Sequence, residues 1–438
     1  MLFAFCLLLG ACGEHSSAIF GRTSDAVTSP GALTLTTPLA VNLTSFQPGG
    51  IITGTVTYTN STSADVPIQR AVITSRAPGS TTYVPGDDFA PGAGATVVKA
   101  GQTLTLAASR KVGATDAAGN WTAYSSYQDS AGGWHSSPTL TFAVYLPPSG
   151  NLITTAPVYA APGSDAQKQA DAWRVSRPGD AAQMDKIAKG GQAAWFGDWN
   201  TSIQANVASF VNAAVAANRL PVMVVYNIPQ RDCGLYSAGG ATSAAAYNTW
   251  IRSFQAGIGA RSAVVVLEPD ALSGMDCLNA ADQAQRIAVL ADAVTVLSSA
   301  TTAVYIDAGH STWKTSTVMA QRLNSVNVSK ARGFSLNVSN FLPTEGETTY
   351  GVDIATQLGG SHFVIDTSRN GLGTNGQWCN PLGRALGVQA TVTTTDPTVD
   401  AYLWVKSPGK SDGTCNGGPA AGTFWPDYAL GLAQRAAY

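Results

Sequence analysis

The sequence predicts an α/β protein with an all-β appendage: a distorted parallel (β/α) barrel over residues 151–438, preceded by an immunoglobulin-like sandwich over residues 37–146. Two textures carry this expectation. Between 37 and 146, Thr, Val and Tyr recur at alternate positions in short runs punctuated by Gly, Pro, Asn and Asp, the pattern of antiparallel strands with one buried face. Beyond 151, fully apolar runs alternate with Ala-rich stretches of helical length, as in a parallel sheet covered by helices. A chain of 438 residues has room for roughly two or three domains.

The elements follow in order. Residues 2–11, LFAFCLLLGA, are too short to span a bilayer as a mature helix but suit the core of an export signal. The ending Leu9-Gly10-Ala11-Cys12 resembles a bacterial lipobox, so residues 1–12 are expected to be a signal with lipidation at Cys12. That anchor, on the bacterial cell envelope, would be the chain's only contact with a membrane. Residues 13–36, rich in Ser, Thr, Gly and Ala, read as a flexible tether. Within the sandwich, Ile51–Tyr58, Gln102–Leu106 and Thr139–Tyr145 are the clearest strands, and Pro147-Pro148-Ser149-Gly150 is a linker. In the barrel, Leu220–Tyr226, Ala263–Leu267, Ala303–Ile306 and His362–Ile365 are expected strands. Ile203–Ala217 and Ala280–Ser299 are expected helices. In such a barrel the active site lies at the C-terminal ends of the strands.

Composition narrows the partners. Charged residues are 12% of the chain, about half the usual share, and the net charge is −2. With no basic stripe, nucleic acid is excluded as a partner. With 45% hydrophobic residues the chain can bury a core. A surface of Gly, Ser, Thr and Ala suits neutral polyhydroxyl ligands. Cys233, Cys277, Cys379 and Cys415 fall in the barrel without a Cys-x-x-Cys pair, and the chain has only four histidines. No metal site or cofactor is therefore expected, and the four cysteines read as two disulfides with three possible connectivities.

Two polar segments stand directly behind apolar strands. Asn227-Ile228-Pro229-Gln230-Arg231-Asp232-Cys233-Gly234 follows Tyr226, and Glu268-Pro269-Asp270-Ala271-Leu272 follows Leu267. A carboxylate at such a rim is half desolvated, which raises its pKa and lets it act as an acid. A partner carboxylate kept ionised by Arg231 would do the complementary work. Taken singly, Arg231–Asp232 reads equally as a loop salt bridge and Asp270 as a helix N-cap. Together with the later Asp412 loop they read as a site.

The chain resembles glycoside hydrolase family 6 through six ordered motifs. These are V-x-Y-x-x-P-x-R-D-C-G…GG (Val224–Gly240), V-V-L-E-P-D-A-L-S (Val265–Ser273), I-D-A-G-H-x-x-W (Ile306–Trp313), N-V-S-N (Asn337–Asn340), W-C-N (Trp378–Asn380) and W-V-K-x-P-G-x-S-D-G (Trp404–Gly413). The resemblance implies a cellulase that inverts anomeric configuration, with carboxylates far enough apart to admit water. It implies Asp270 as general acid, Asp232 as the residue that tunes it and steadies charge, Arg231 orienting Asp232, and Asp412 as candidate base. Tyr226 would crowd the sugar. Trp195, Trp313 and Trp378 would stack on pyranose faces, while Asp307, His310, Asn337 and Lys406 would contact hydroxyls. It also favours the pairings Cys233–Cys277 and Cys379–Cys415. Lys410 departs from the family pattern, which usually has Glu there, and its cation is expected to lower the pKa of Asp412.

Only eleven residues, Gly413–Thr423, separate Asp412 from Phe424, which favours an open cleft and attack on internal β-1,4 bonds of cellulose or related β-glucans by a monomer. The alternatives are a cellobiohydrolase of the same family and a non-catalytic surface glucan-binding lipoprotein. The intact carboxylate set argues against the second. No Gly-x-Ser-x-Gly elbow supports a serine hydrolase. Trp121, Tyr124, Tyr127 and Trp134 of the sandwich are read as core, and the sandwich as a spacer.

Overall fold

The computed structural model describes residues 31–438; Cys12, the export segment and the tether up to residue 30 lie outside the described residues. The chain divides into two units. One comprises the described residues up to Val41 with Thr53–Arg110 and Asn120–Thr141; the other comprises Asn42–Ile52, Lys111–Gly119 and Phe142–Tyr438.

The N-terminal strands are β1 (Thr34–Val41), β2 (Ser45–Phe46), β3 (Ile51–Thr59), β4 (Val66–Arg76), β5 (Thr96–Val98), β6 (Thr103–Lys111), β7 (Gly119–Asp129), β8 (Trp134–Ser136) and β9 (Leu140–Val144). They form one sheet in the order β1-β3-β6 and another in the order β2-β9-β7-β4-β5, with β8 against β7. Alternation along β3 turns Val56 and Tyr58 inward, where Tyr58 meets Tyr127 edge to face at 5.4 Å. Trp121, Tyr124 and Tyr127 are buried and belong to the core, while Trp134 is half-buried with the Arg70 guanidinium 5.2 Å from its ring centre.

The second unit carries a seven-stranded parallel sheet in chain order. Its strands are β10 (Ala194–Phe196), β11 (Val222–Val225), β12 (Ala263–Leu267), β13 (Thr302–Asp307), β14 (Gly333–Leu336), β15 (His362–Asp366) and β16 (Val399–Leu403). Its helices are α1 (Asp165–Trp173), α2 (Pro178–Lys189), α3 (Ile203–Ala216), α4 (Ala244–Ile258), α5 (Ala280–Leu297), α6 (Ser316–Ser325), α7 (Thr344–Gln357) and α8 (Pro426–Gln434). Side chains start several of them: Ser243 Oγ accepts the Ala246 N–H at 3.1 Å before α4, and Asn279 Oδ1 accepts the Asp282 N–H at 3.0 Å before α5.

Period-two alternation sorts the apolar strands into two cores. Met223, Val225, Val265 and Leu267 pack outward with helix residues such as Ile251, Phe254 and Leu290. Val224, Val264, Val266, Tyr305 and Leu403 fill the interior. The sheet curls, but no full ladder closes it. Its edges meet at one isolated parallel bridge, Gln192 to Trp404, with the Ala193 N–H on the Trp404 carbonyl at 2.9 Å.

Register sets the rim. Val225 pairs with Leu267, Leu267 with Ile306, Asp307 with Ser335, Leu336 with Ile365 and Asp366 with Leu403. The segments that follow β11, β12, β14 and β15 therefore leave the sheet on one side.

Candidate active site

That rim is unusual in its backbone. Gln230, Asp232, Cys233, Glu268, Asp270, Asn337, Ser339 and Asn380 all have positive φ without being glycine. Such conformations are costly for L residues and concentrate where a fold positions reactive groups. Buried Glu268 holds two of the turns: its carboxylate accepts the Asn227 N–H (2.9 Å) and the Ile228 N–H (3.0 Å). Burial pushes Glu268 up to about 7.

Asp270 stands half-buried beyond β12, its N–H donating to Asp307 Oδ1 at 2.9 Å. Desolvation, then the negative charges of Asp307 and Asp232, raises its pKa well above the usual carboxylate range. Burial also raises Asp307, to about 7, but Asp307 accepts backbone N–H groups from Asp270 and Gly309 (3.0 Å), which favour its ionised form. The proton therefore belongs on Asp270. Asp307 is buried beneath the acid and occupied by it, contrary to the expectation of a sugar-hydroxyl contact.

Asp232 accepts the Ser237 N–H at 2.7 Å, and burial raises its pKa despite that bond and the nearby Arg231. The expected Arg231–Asp232 pair does not form. Arg231 is buried and pairs with Asp198 at 2.9 Å, while donating to the carbonyls of Tyr226 (2.8 Å), Ser237 (2.7 Å) and Ala238 (3.2 Å). Its guanidinium lies 4.7 Å from the Tyr226 ring centre. It orders the loop that carries Asp232, with Asp198 as its ion-pair partner.

Asp412 is the electrostatic opposite of Asp270. Burial acts to raise its pKa, but Arg369 and Lys406 outweigh burial and hold it below the usual range. Arg369 Nη1 reaches both carboxylate oxygens (3.0 and 2.8 Å), Lys406 Nζ reaches Oδ1 (2.9 Å) and the Asn380 N–H reaches Oδ2 (3.1 Å). Lys410 takes no part: it pairs with Asp165 at 2.5 Å, so the expectation that it lowers Asp412 is corrected. Lys406, expected on a sugar hydroxyl, joins Arg369 as a cation on Asp412.

The remaining candidates separate. Trp195 donates its indole N–H to the Val405 carbonyl (2.9 Å) and meets Tyr226 edge to face at 5.2 Å. Trp313 and Trp378 are exposed, at 37% and 51%, as stacking platforms require. Burial pushes His310 down to about 4, and its ring leans on Trp313 at 5.4 Å. Asn337 does not face the cleft. It is fully buried, donating to the carbonyls of Leu342 (3.2 Å) and Asp366 (3.0 Å) and accepting the Leu342 N–H (3.1 Å). The disulfides join Cys233 to Cys277 and Cys379 to Cys415. They flank Asp232 and Asp412. Tyr236, on the Asp232 loop, reaches Trp378 with ring centres 6.0 Å apart and lies where a side chain on Gly413 would sit.

Sequence reasoning missed Asp198, Glu268, Asp366 and Arg369. Asp366 had a signal, since it follows an apolar strand as Asp270 does; its carboxylate accepts the N–H groups of Ser339 (3.0 Å), Ser368 (2.9 Å) and Lys406 (2.9 Å). Trp199, 52% exposed beside Arg231, was also missed. Among the described residues no group of three His, Cys, Asp or Glu side chains is placed to hold a metal ion. The site thus sets Asp270, whose pKa is raised, against Asp412, whose pKa is lowered, a pairing suited to acid–base work.

Residues 153–436 match the family described as Glycosyl hydrolases family 6. The chain is 46% identical over 268 residues to Endoglucanase A of Cellulomonas fimi, covering 60% of this chain and 59% of that protein. It is 43% identical over 284 residues to Endoglucanase 1 of Streptomyces halstedii, covering 62% and 86%. Among solved structures, the endoglucanase Cel6 from Mycobacterium tuberculosis, in complex with methyl-cellobiosyl-4-deoxy-4-thio-β-D-cellobioside, superposes with a TM-score of 0.63 and 43% identity, covering 65% of this chain and 99% of that one.

Proposed function

The chain belongs to glycosyl hydrolase family 6, and on that premise we propose that it hydrolyses internal β-1,4-glucosidic bonds of cellulose or related β-glucans, inverting the anomeric centre. The carrying observation is the opposition of Asp270, whose pKa is raised, and Asp412, whose pKa is lowered. Asp270 donates its proton to the glycosidic oxygen as the bond breaks. Water attacks the opposite face of the sugar, its proton passing toward Asp412, directly or through a further water. Asp232 steadies the positive charge developing on the ring. Tyr226, packed between Trp195 and Arg231, limits the space for an undistorted pyranose. Trp195, Trp313 and Trp378 carry glucose units by stacking, and His310, neutral at working pH, offers a hydroxyl contact.

The reading extends to the rest of the chain. The N-terminal sheets serve as an immunoglobulin-like spacer, Cys12 carries a lipid anchor, and the enzyme works outside the cell as a monomer. The two disulfides support export, since such bonds persist in oxidising compartments.

One observation favours a second reading, cellobiose release from chain ends: the Tyr236–Trp378 contact links the loops of Asp232 and Asp412. Viscometry of carboxymethyl-cellulose against reducing-end formation separates the two. Internal attack lowers viscosity long before reducing ends accumulate. Nearly pure cellobiose with little viscosity loss would overturn the proposal.

A further inference from the structure

We propose that Asp198 is a positioning residue for Asp232, acting through Arg231: it anchors the guanidinium that shapes the Asp232 loop and offsets part of that cation's charge. The inference rests on the reading of Asp232 as part of the catalytic set.

Asp198 lies on the loop leaving β10, outside the motifs of the Asp232 and Asp270 segments. One carboxylate oxygen accepts Arg231 Nη1 at 2.9 Å and the other accepts the Gly240 N–H at 3.0 Å. Every other hydrogen bond of the guanidinium goes to a carbonyl of Tyr226, Ser237 or Ala238, so Asp198 is its charge partner. The stretch held in this way includes Ser237, whose N–H binds Asp232. Glycines make the approach possible. A Cβ on Gly239 would lie 2.5 Å from Arg231 Nη2 and 2.7 Å from Asp198 Oδ2, and one on Gly240 would lie 1.9 Å from the Ile228 carbonyl oxygen. Asp198, Arg231 and two glycines therefore form one brace across the loops after β10 and β11.

The electrostatic half follows from what faces Asp232. Arg231 and Tyr226 approach from its own loop and Asp270 from the loop after β12. Lys406, Asp307 and Asp412 act on Asp270. Arg231 is the cation beside Asp232. Arg231 favours ionised Asp232 and burial outweighs it, while Asp198, paired with the same guanidinium at 2.9 Å, offsets part of that cation's charge. Without Asp198 the unoffset guanidinium would favour ionised Asp232 more strongly, and Asp232 would stay charged to lower pH.

The test is the pH profile of kcat/KM on neutral mixed-linkage β-glucan. Asp198→Asn should move the acid limb down by about half to one pH unit. Asp198→Glu, which keeps the charge at some cost in fit, should leave the limb at the wild-type position whatever its kcat. Asp198→Ser provides a second neutral variant should the amide fold poorly. An unmoved limb in the neutral variants, or a Glu variant that shifts with them, would overturn the proposal, because a merely structural brace changes rate and thermal midpoint without sorting variants by charge. If the protein turned over no β-glucan, the functional reading would fall. Titration of the Asp232 carboxyl carbon by NMR would still decide this inference: an Asp232 pKa equal in wild type and Asp198→Asn overturns it.

Discussion

Replacing Arg369 by Met tests how Asp412 is kept ionised. Arg369 is fully buried, bridges both oxygens of Asp412 at 3.0 and 2.8 Å, donates to the Ser339 carbonyl, and lies 4.3 Å from the Phe341 ring. Removing one member of a buried pair costs about 3–5 kcal/mol, because the other charge is left without compensation. Asp412 keeps Lys406 at 2.9 Å and the Asn380 N–H at 3.1 Å, so the lower end, about 3 kcal/mol, applies. For a unit of this size that is a fall in Tm of about 4–5 °C at pH 7. The pH dependence has a definite sign. The folded pKa of Asp412 is depressed, so its contribution is complete above the unfolded value, about 4, and is lost as pH falls through the folded value. Arg369→Met raises the folded pKa, so the deficit against wild type should be largest near neutrality and shrink toward acid pH. Adding Asp412→Asn to Arg369→Met removes the orphaned charge, and the double variant should lose much less than the sum of the singles. Calorimetry of all four proteins at pH 7 and pH 4 decides the matter. A midpoint for the Arg369→Met protein within 1 °C of wild type, or a deficit that grows in acid, would refute the assignment.

Two further outcomes follow from the site. Asp270→Asn should lower turnover of unactivated β-glucan by about 10²–10⁴-fold but cost much less on a nitrophenyl cello-oligosaccharide, whose leaving group needs little protonation; near-normal activity on plain glucan would remove Asp270 as the acid. Lys410→Glu breaks a pair with Asp165 whose side chains are 34% and 39% exposed, so solvent screening limits the loss to about 1 kcal/mol or less. It should leave the pH profile unchanged, since Lys406 and Arg369 hold Asp412; a shifted profile would return Lys410 to the site.

Legibility in the sequence follows locality. Ala263–Leu267 is readable to the residue, because five consecutive apolar side chains divide between two cores and no polar group interrupts them. The strand Val399–Leu403 is hidden for the converse reason. It carries Asp400, which is tolerable in a buried strand only because Arg332 (2.6 Å), His362 and the Tyr305 hydroxyl (2.7 Å) converge on it from elsewhere in the chain. The site behaves alike. Asp232 and Asp270 sit in dense local motifs and are legible, whereas Asp198 meets Arg231 33 residues away and Arg369 meets Asp412 43 residues away. Asn337 misleads because a side-chain amide looks the same in sequence whether it binds a sugar or replaces missing backbone hydrogen bonds.

The single bridge between Gln192 and Trp404 gives the sheet a compliant joint. Elsewhere neighbouring strands share at least three paired positions, so they move as one stiff body. At this joint the bridge, the Ala193–Trp404 bond, the indole of Trp195 on Val405 and the packing of Trp404 with Met184, Ile187 and Tyr428 replace a ladder, beside a cavity of about 230 Å³. Lys406 and Asp412 belong to one bank of the joint, Trp195, Tyr226 and Asp232 to the other. The sheet is thus least bonded along this one seam, and the slowest amide exchange should be found in β13, the central strand farthest from it.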